Sequence, residues 1–151
     1  MSDDFIILVP RDPDSAASHD VQARVAAVLK RLAPSAESIT PEVSEAIRFH
    51  DAGENFERIL CPRCGKEIRV EWWQDRMDED SSDYGFRLDS YATICCNKLV
   101  NLNELTYDWP QAFGRTSWTV QNADIGDLDA GSRAELEVAA GNPLVVVRQH
   151  L

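Results

Sequence analysis

Cys61-Pro62-Arg63-Cys64-Gly65, answered thirty residues later by Cys95-Cys96, decides how the middle of this chain folds. Two close cysteine pairs supply four thiolates, and Zn2+ takes four such ligands tetrahedrally at about 2.3 Å. In a Cys-Pro-x-Cys-Gly turn the proline fixes the bend, while Gly65 provides the left-handed geometry that aims backbone amides at thiolate sulfur. Cys61, Cys64, Cys95 and Cys96 are therefore the expected ligands of one structural zinc ion. The second pair is the unusual half. Adjacent residues on an extended strand point to opposite faces, so both thiols reach one ion only if Cys95-Cys96 lies in a turn, for which Asn97 is suited. One alternative keeps a single ligand from this pair and completes an open, catalytic shell with His50, Asp51 or water. Another pairs the cysteines as two disulfides, which a reducing cytoplasm disfavours.

Working outward, the cysteine-bearing segment reads as an insertion between two similar units. Phe5-Ile6-Ile7-Leu8-Val9 is a short apolar run ending at Pro10, the signature of a buried strand. Val21, Val25, Val28, Leu29 and Leu32 then repeat at helical spacing over residues 19–33, and Pro34 stops the helix by removing an amide donor. Residues 43–50 read as a strand before the turn Asp51-Ala52-Gly53. Beyond the insertion the order recurs. Thr116, Trp118 and Val120 alternate with polar neighbours, Asp129 is placed to cap a helix ending at Gly141-Asn142-Pro143, and Leu144-Val145-Val146-Val147 is a last strand. The expected fold is α+β: a ferredoxin-like pair of strand-helix-strand units carrying a zinc-ribbon-like β insertion. In this reading residues 1–57 plus 103–151 form one discontinuous domain, and residues 58–102 form the insertion.

A net charge of −11 over 151 residues narrows the function classes. The flanks carry the acidity and the insertion is close to neutral. Such a surface repels phosphate backbones, so a zinc-ribbon nucleic-acid-binding protein is the disfavoured class. No serine-histidine-acid set, phosphate-cradling glycine loop or metalloprotease motif is legible, and a nucleobase-deaminase signature fails because no glutamate stands at the required offset from His50. Neither a leader-like segment nor an apolar run of roughly 20 residues is present, which predicts a soluble, cytoplasmic protein with no membrane partner. Residues 71–80 read as a short helix on which Trp73 and Met77 pack inward, while Asp75, Asp78, Glu79 and Asp80 form an acidic outer face. The reading that follows is a non-enzymatic acidic module that binds another protein, a basic one, through that face. An immunity-type inhibitor of a bacterial toxin is its concrete version. A zinc- or cysteine-dependent enzyme is the alternative from a different class.

Asn55-Phe56-Glu57, Cys61-Pro62-Arg63-Cys64-Gly65, Trp72-Trp73, Met77-Asp78, Cys95-Cys96, Leu102-Asn103-Glu104-Leu105 and Tyr107-Asp108-Trp109-Pro110 together carry a resemblance. The chain resembles a family of small uncharacterised bacterial proteins with a Cys-Pro-x-Cys-Gly knuckle, a vicinal cysteine pair and a Tyr-Asp-Trp-Pro motif. The similarity runs from about Asn55 through Phe113 and implies no known activity. Asn97 departs from the pattern by standing where the family has glycine.

Overall fold

The computed structural model describes residues 2–151. Strand β1 (Asp4–Pro10), helix α1 (His19–Leu32) and strand β2 (Ser38–His50) make the first unit, and strand β10 (Ala112–Gln121), helix α3 (Ala130–Ala140) and strand β11 (Leu144–His150) make the last. Among the described residues these strands form one antiparallel sheet in the order β11-β1-β10-β2, so each unit inserts a strand between the two strands of the other. The fold is α+β with antiparallel sheets.

Both faces of β1 are buried, which explains its unbroken apolar run. Ile6 and Leu8 join Val25 and Leu29 of α1 and Leu136 of α3 in one core, with Trp118 and Val120 of β10 beside them. Ile7 and Val9, one residue out of phase, pack on the other face with Ala112 and Val147. The helix ends follow their caps: Ser18 accepts the amide of Val21 at 3.2 Å, and Asp129 accepts that of Ser132 at 2.7 Å.

β2 begins at Ser38, five residues before the expected start, and runs through Pro41. It is an edge strand, where a missing amide donor leaves a central ladder intact. Its pairing with β10 breaks between Thr116↔Val43 and Gly114↔Arg48, which sets residues 44–47 off the ladder. The insertion docks there.

Within the insertion lie β3 (Arg58–Leu60), β4 (Glu67–Ile68), α2 (Val70–Asp80), β5 (Ser81–Ser82), β6 (Gly85–Phe86), β7 (Tyr91–Ala92) and β8 (Leu99–Val100). Strand β9 (Thr106–Asp108) follows and pairs with β3 in a sheet ordered β4-β3-β9. Residues 106–108, expected with the outer domain, thus pair inside the sheet of the insertion. One apolar cluster joins Ile59, Cys61, Trp72, Val100, Leu102 and Tyr107 to Phe113 of β10, with Ile47 and Phe49 of β2 packed against it. Aromatic rings bridge the two parts: Phe49 stands 4.8 Å from Phe113 and 6.0 Å from Trp73, centroid to centroid. The Trp73 indole donates to the Tyr107 hydroxyl at 3.1 Å, and that hydroxyl donates to the Leu102 carbonyl at 2.6 Å. Among the described residues no helix is long and apolar enough to cross a membrane.

Candidate metal centre

Each cysteine pair sits on the tip of a β-hairpin. Cys61 and Cys64 lie between β3 and β4, and Cys95 and Cys96 lie between β7 and β8. In the first turn the Cys61 amide donates to the Lys66 carbonyl at 2.8 Å and the Gly65 amide to the Cys61 carbonyl at 2.9 Å. Gly65 takes a φ of 77°, a left-handed conformation that costs a glycine nothing. The second turn has the same frame. The Thr93 amide donates to the Lys98 carbonyl at 3.1 Å, the Asn97 amide donates to the Thr93 carbonyl at 2.9 Å, and Asn97 has φ 56°. Asparagine is the side-chain-bearing residue that visits this region most readily, so the position that lacks glycine keeps the turn.

The four Sγ atoms converge, all within 4.8 Å of one another, and among the described residues they form the cluster with metal-ligand spacing. Cys61 and Cys96 are 3.8 Å apart and Cys64 and Cys95 are 3.3 Å apart. A tetrahedron with metal–sulfur bonds of about 2.3 Å has edges of about 3.8 Å, whereas a disulfide closes to about 2.05 Å. The cysteines are free thiols; the Cys61–Cys96 distance matches the tetrahedral edge, and the shorter Cys64–Cys95 distance is still far longer than a disulfide bond. His50 does not belong to this group; its Nε2 lies 3.3 Å from the Gly114 carbonyl at the end of β2.

The polar surroundings favour thiolate at Cys61 and Cys96. Burial alone pushes the Cys61 thiol up, but the amides of Cys64 and Arg63, the latter 3.4 Å from Sγ, outweigh it and bring the pKa down to about 6. At Cys96 the Thr93 hydroxyl, 3.2 Å from sulfur, and then the Lys98 amide lower the pKa. Burial first, then the neighbouring Cys64 sulfur, raise that of Cys95 to about 11. Thiols lowered at Cys61 and Cys96 beside one raised at Cys95 suit a cluster that would release protons on taking up a cation, since a metal's thiol ligands must be deprotonated. Four soft sulfur donors, backbone amides aimed at sulfur and a buried Cys61 are compatible with metal binding.

No protein-family model, curated protein or solved structure matches this chain. The site is therefore defined by its own geometry.

The acidic helix differs from expectation at one residue. Asp75, Asp78 and Glu79 are exposed on α2, but Asp80 is fully buried. Its carboxylate accepts the amides of Arg87 (3.1 Å), Leu88 (2.7 Å) and Asp89 (2.8 Å) and the Tyr91 hydroxyl (2.8 Å). The reason is helical arithmetic. Trp73, Met77 and Asp80 stand at i, i+4 and i+7, so the turn that carries two apolar residues inward carries Asp80 with them. Asp80 joins α2 to the segment entering the second knuckle and belongs to the architecture of the site. Thr93, buried beside Cys96, is a site residue that the cysteine spacing does not reveal. Aligning Cys61-Pro62-Arg63-Cys64-Gly65-Lys66 with Thr93-Ile94-Cys95-Cys96-Asn97-Lys98 is the signal that finds it.

Proposed function

We propose that this protein is a binding module without chemistry of its own, in which a zinc ion held by Cys61, Cys64, Cys95 and Cys96 fixes an acidic helix for recognition of a basic partner protein. One observation carries the reading: a four-sulfur cluster lies under the same apolar core as α2, while Asp75, Asp78 and Glu79 on that helix face solvent. The strand order β11-β1-β10-β2 with both helices in one core supports a ferredoxin-like frame, and the paired hairpin turns support a zinc-ribbon-like insertion. Thiolates on two hairpins leave no coordination position for water when all four close on one ion, which is the arrangement of structural zinc rather than catalytic zinc. An immunity-type inhibitor of a cationic toxin, working in the cytoplasm, is the form of partner binding that the net charge favours, since complementary fields speed encounter. Membership of the resembled bacterial family is part of this proposal.

The test is capture from the native cell by the tagged chain, compared with the variant D75S/D78S/E79S. Loss of the same basic protein from the variant's eluate, and recovery weakening as salt rises, is the expected result. Equal recovery with both baits removes this face as the contact. Zinc-dependent turnover of a small molecule with no protein captured replaces the binding reading with the enzymatic one.

A further inference from the structure

The two cysteine-bearing turns share one hydrogen-bond frame with their cysteines in different registers. Superposing their hydrogen-bond frames matches Cys61 with Thr93, Cys64 with Cys96, Gly65 with Asn97 and Lys66 with Lys98. In both turns the first residue donates to the sixth and accepts from the fifth, and the fifth is left-handed. The first residue is buried in each, Cys61 and Thr93 both at 2% exposure. The frame thus places Thr93, not Cys95, where the first turn places its inner ligand. Cys95 matches Arg63, an outward position at the tip of the turn.

We infer that Thr93 occupies the inner ligand position of the second knuckle, and that Cys95 supplies from the outer side the thiolate that this position lacks. The inference rests on the metal-site reading and names how its fourth ligand is chosen. Threonine and cysteine are close in size, and the Thr93 hydroxyl already lies 3.2 Å from the Cys96 sulfur, so a thiol at position 93 reaches the cluster without rebuilding the turn. Once Cys96 is a thiolate, the hydroxyl is the only possible donor of that contact and offsets charge on the sulfur, as groups that hydrogen-bond a metal's ligands do. The vicinal pair follows from this. Two adjacent cysteines ligate one ion because one occupies the regular fourth place in the turn and the other leans in from the third.

The variants C95S, T93C/C95S and T93C test this against the unaltered chain, all loaded with Co2+. The unaltered chain is expected to take one ion with a four-thiolate absorption spectrum. C95S should lose one thiolate's share of the sulfur-to-metal charge-transfer band and bind at least about tenfold more weakly. T93C/C95S should regain both the band and the affinity. A double variant no better than C95S overturns the inference while the unaltered chain's spectrum keeps the metal reading standing. An unaltered chain that takes up no metal overturns both. T93C alone, which keeps every native ligand, gives a readout independent of refolding: iodoacetamide on the metal-loaded protein should modify Cys95 and spare the introduced thiol. The reverse pattern, with Cys95 protected, contradicts the inference.

Discussion

The Asp80 carboxylate accepts the Tyr91 hydroxyl at 2.8 Å, and with it a fully buried acid at the end of α2 reaches the first residue of β7. Three consecutive amides, from Arg87 to Asp89, converge on the same carboxylate, and Leu88 among them is left-handed with φ 58°. This makes a backbone anion nest filled by the protein's own side chain. Because β7 leads straight into Thr93 and Cys95, the acid that ends the helix also sets where the second knuckle stands. Asp80→Ala removes the acceptor shared by four part-buried donors, of which only the Arg87 amide keeps another partner, the Asp80 carbonyl at 3.3 Å, and should cost on the order of 3 kcal/mol in urea unfolding of the metal-bound protein. Tyr91→Phe removes one donor and should cost about 1 kcal/mol. Asp75→Ser, on the exposed face of the same helix, should fall within about 0.5 kcal/mol of the unaltered chain.

Gly85 closes the contact between the β5–β6 hairpin and the off-ladder stretch of β2. With φ 96° and a would-be Cβ only 2.4 Å from the Ile47 carbonyl oxygen, no other residue fits without moving backbone. Gly85→Ala should lower stability by about 2 kcal/mol, read as a shifted denaturant midpoint. Gly126→Ala, where a Cβ meets nothing within 4 Å, is the matched control and should stay near neutral.

Two histidines should titrate on opposite sides of the ordinary value. Desolvation lowers the pKa of His50, whereas the hydrogen bond that Nδ1 of His150 donates to the Asp4 carboxylate, at 2.5 Å, raises that of His150. The signs of their linkage to folding therefore oppose. His150 contributes stability that is complete below about pH 6.5 and is lost as pH rises through its raised pKa. His50 contributes stability present above about pH 6.5 and lost as pH falls through its lowered pKa. NMR titration of the imidazole resonances checks the order, and Asp4→Asn should return His150 to the ordinary value while leaving His50 in place.

Metal removal should melt the insertion before the main sheet. Cys61 is part of the cluster that holds Ile59, Trp72, Leu102 and Tyr107, while the core between the sheet and α1 and α3 contains no cysteine. Structural zinc contributes on the order of 10 to 16 kcal/mol in isolated modules, as much as the whole stability of many domains. Chelation should raise amide exchange across residues 58–108 and leave the amides of β1 and α1 protected. Uniform loss of protection through the whole chain would show that the two cores fold as one unit.

Most of the frame was legible because local rules and tertiary packing agree there. The α1 stripe and the Asp129 cap read in the sequence as they stand in the structure, and Thr116, Trp118 and Val120 are buried as their alternation expects, although Ser117 on the opposite face is buried too. The early start of β2 was hidden by Pro41, which argues against a strand except at an edge, and nothing local says which strand is the edge. Strand β9 was hidden for another reason: three residues are too short to show a period, and pairing with β3 is a long-range event. At the site, the four cysteines announce themselves by chemistry. Asp80 and Thr93 do not, because a carboxylate among surface acids and a threonine among strand residues look ordinary until the donors around them are known. Helical spacing from Trp73 and register matching between the two turns were the signals available for each.

Sulfur coordination of the bound metal bears most directly on the central claim. X-ray absorption at the zinc edge, on protein purified from zinc-replete cells with the metal content quantified alongside, reads both the ligand type and the bond length. One zinc per chain surrounded by four sulfurs at about 2.3 Å is the predicted result. A shell in which nitrogen or oxygen replaces one or more sulfurs, or a metal-free chain carrying two disulfides, would contradict it.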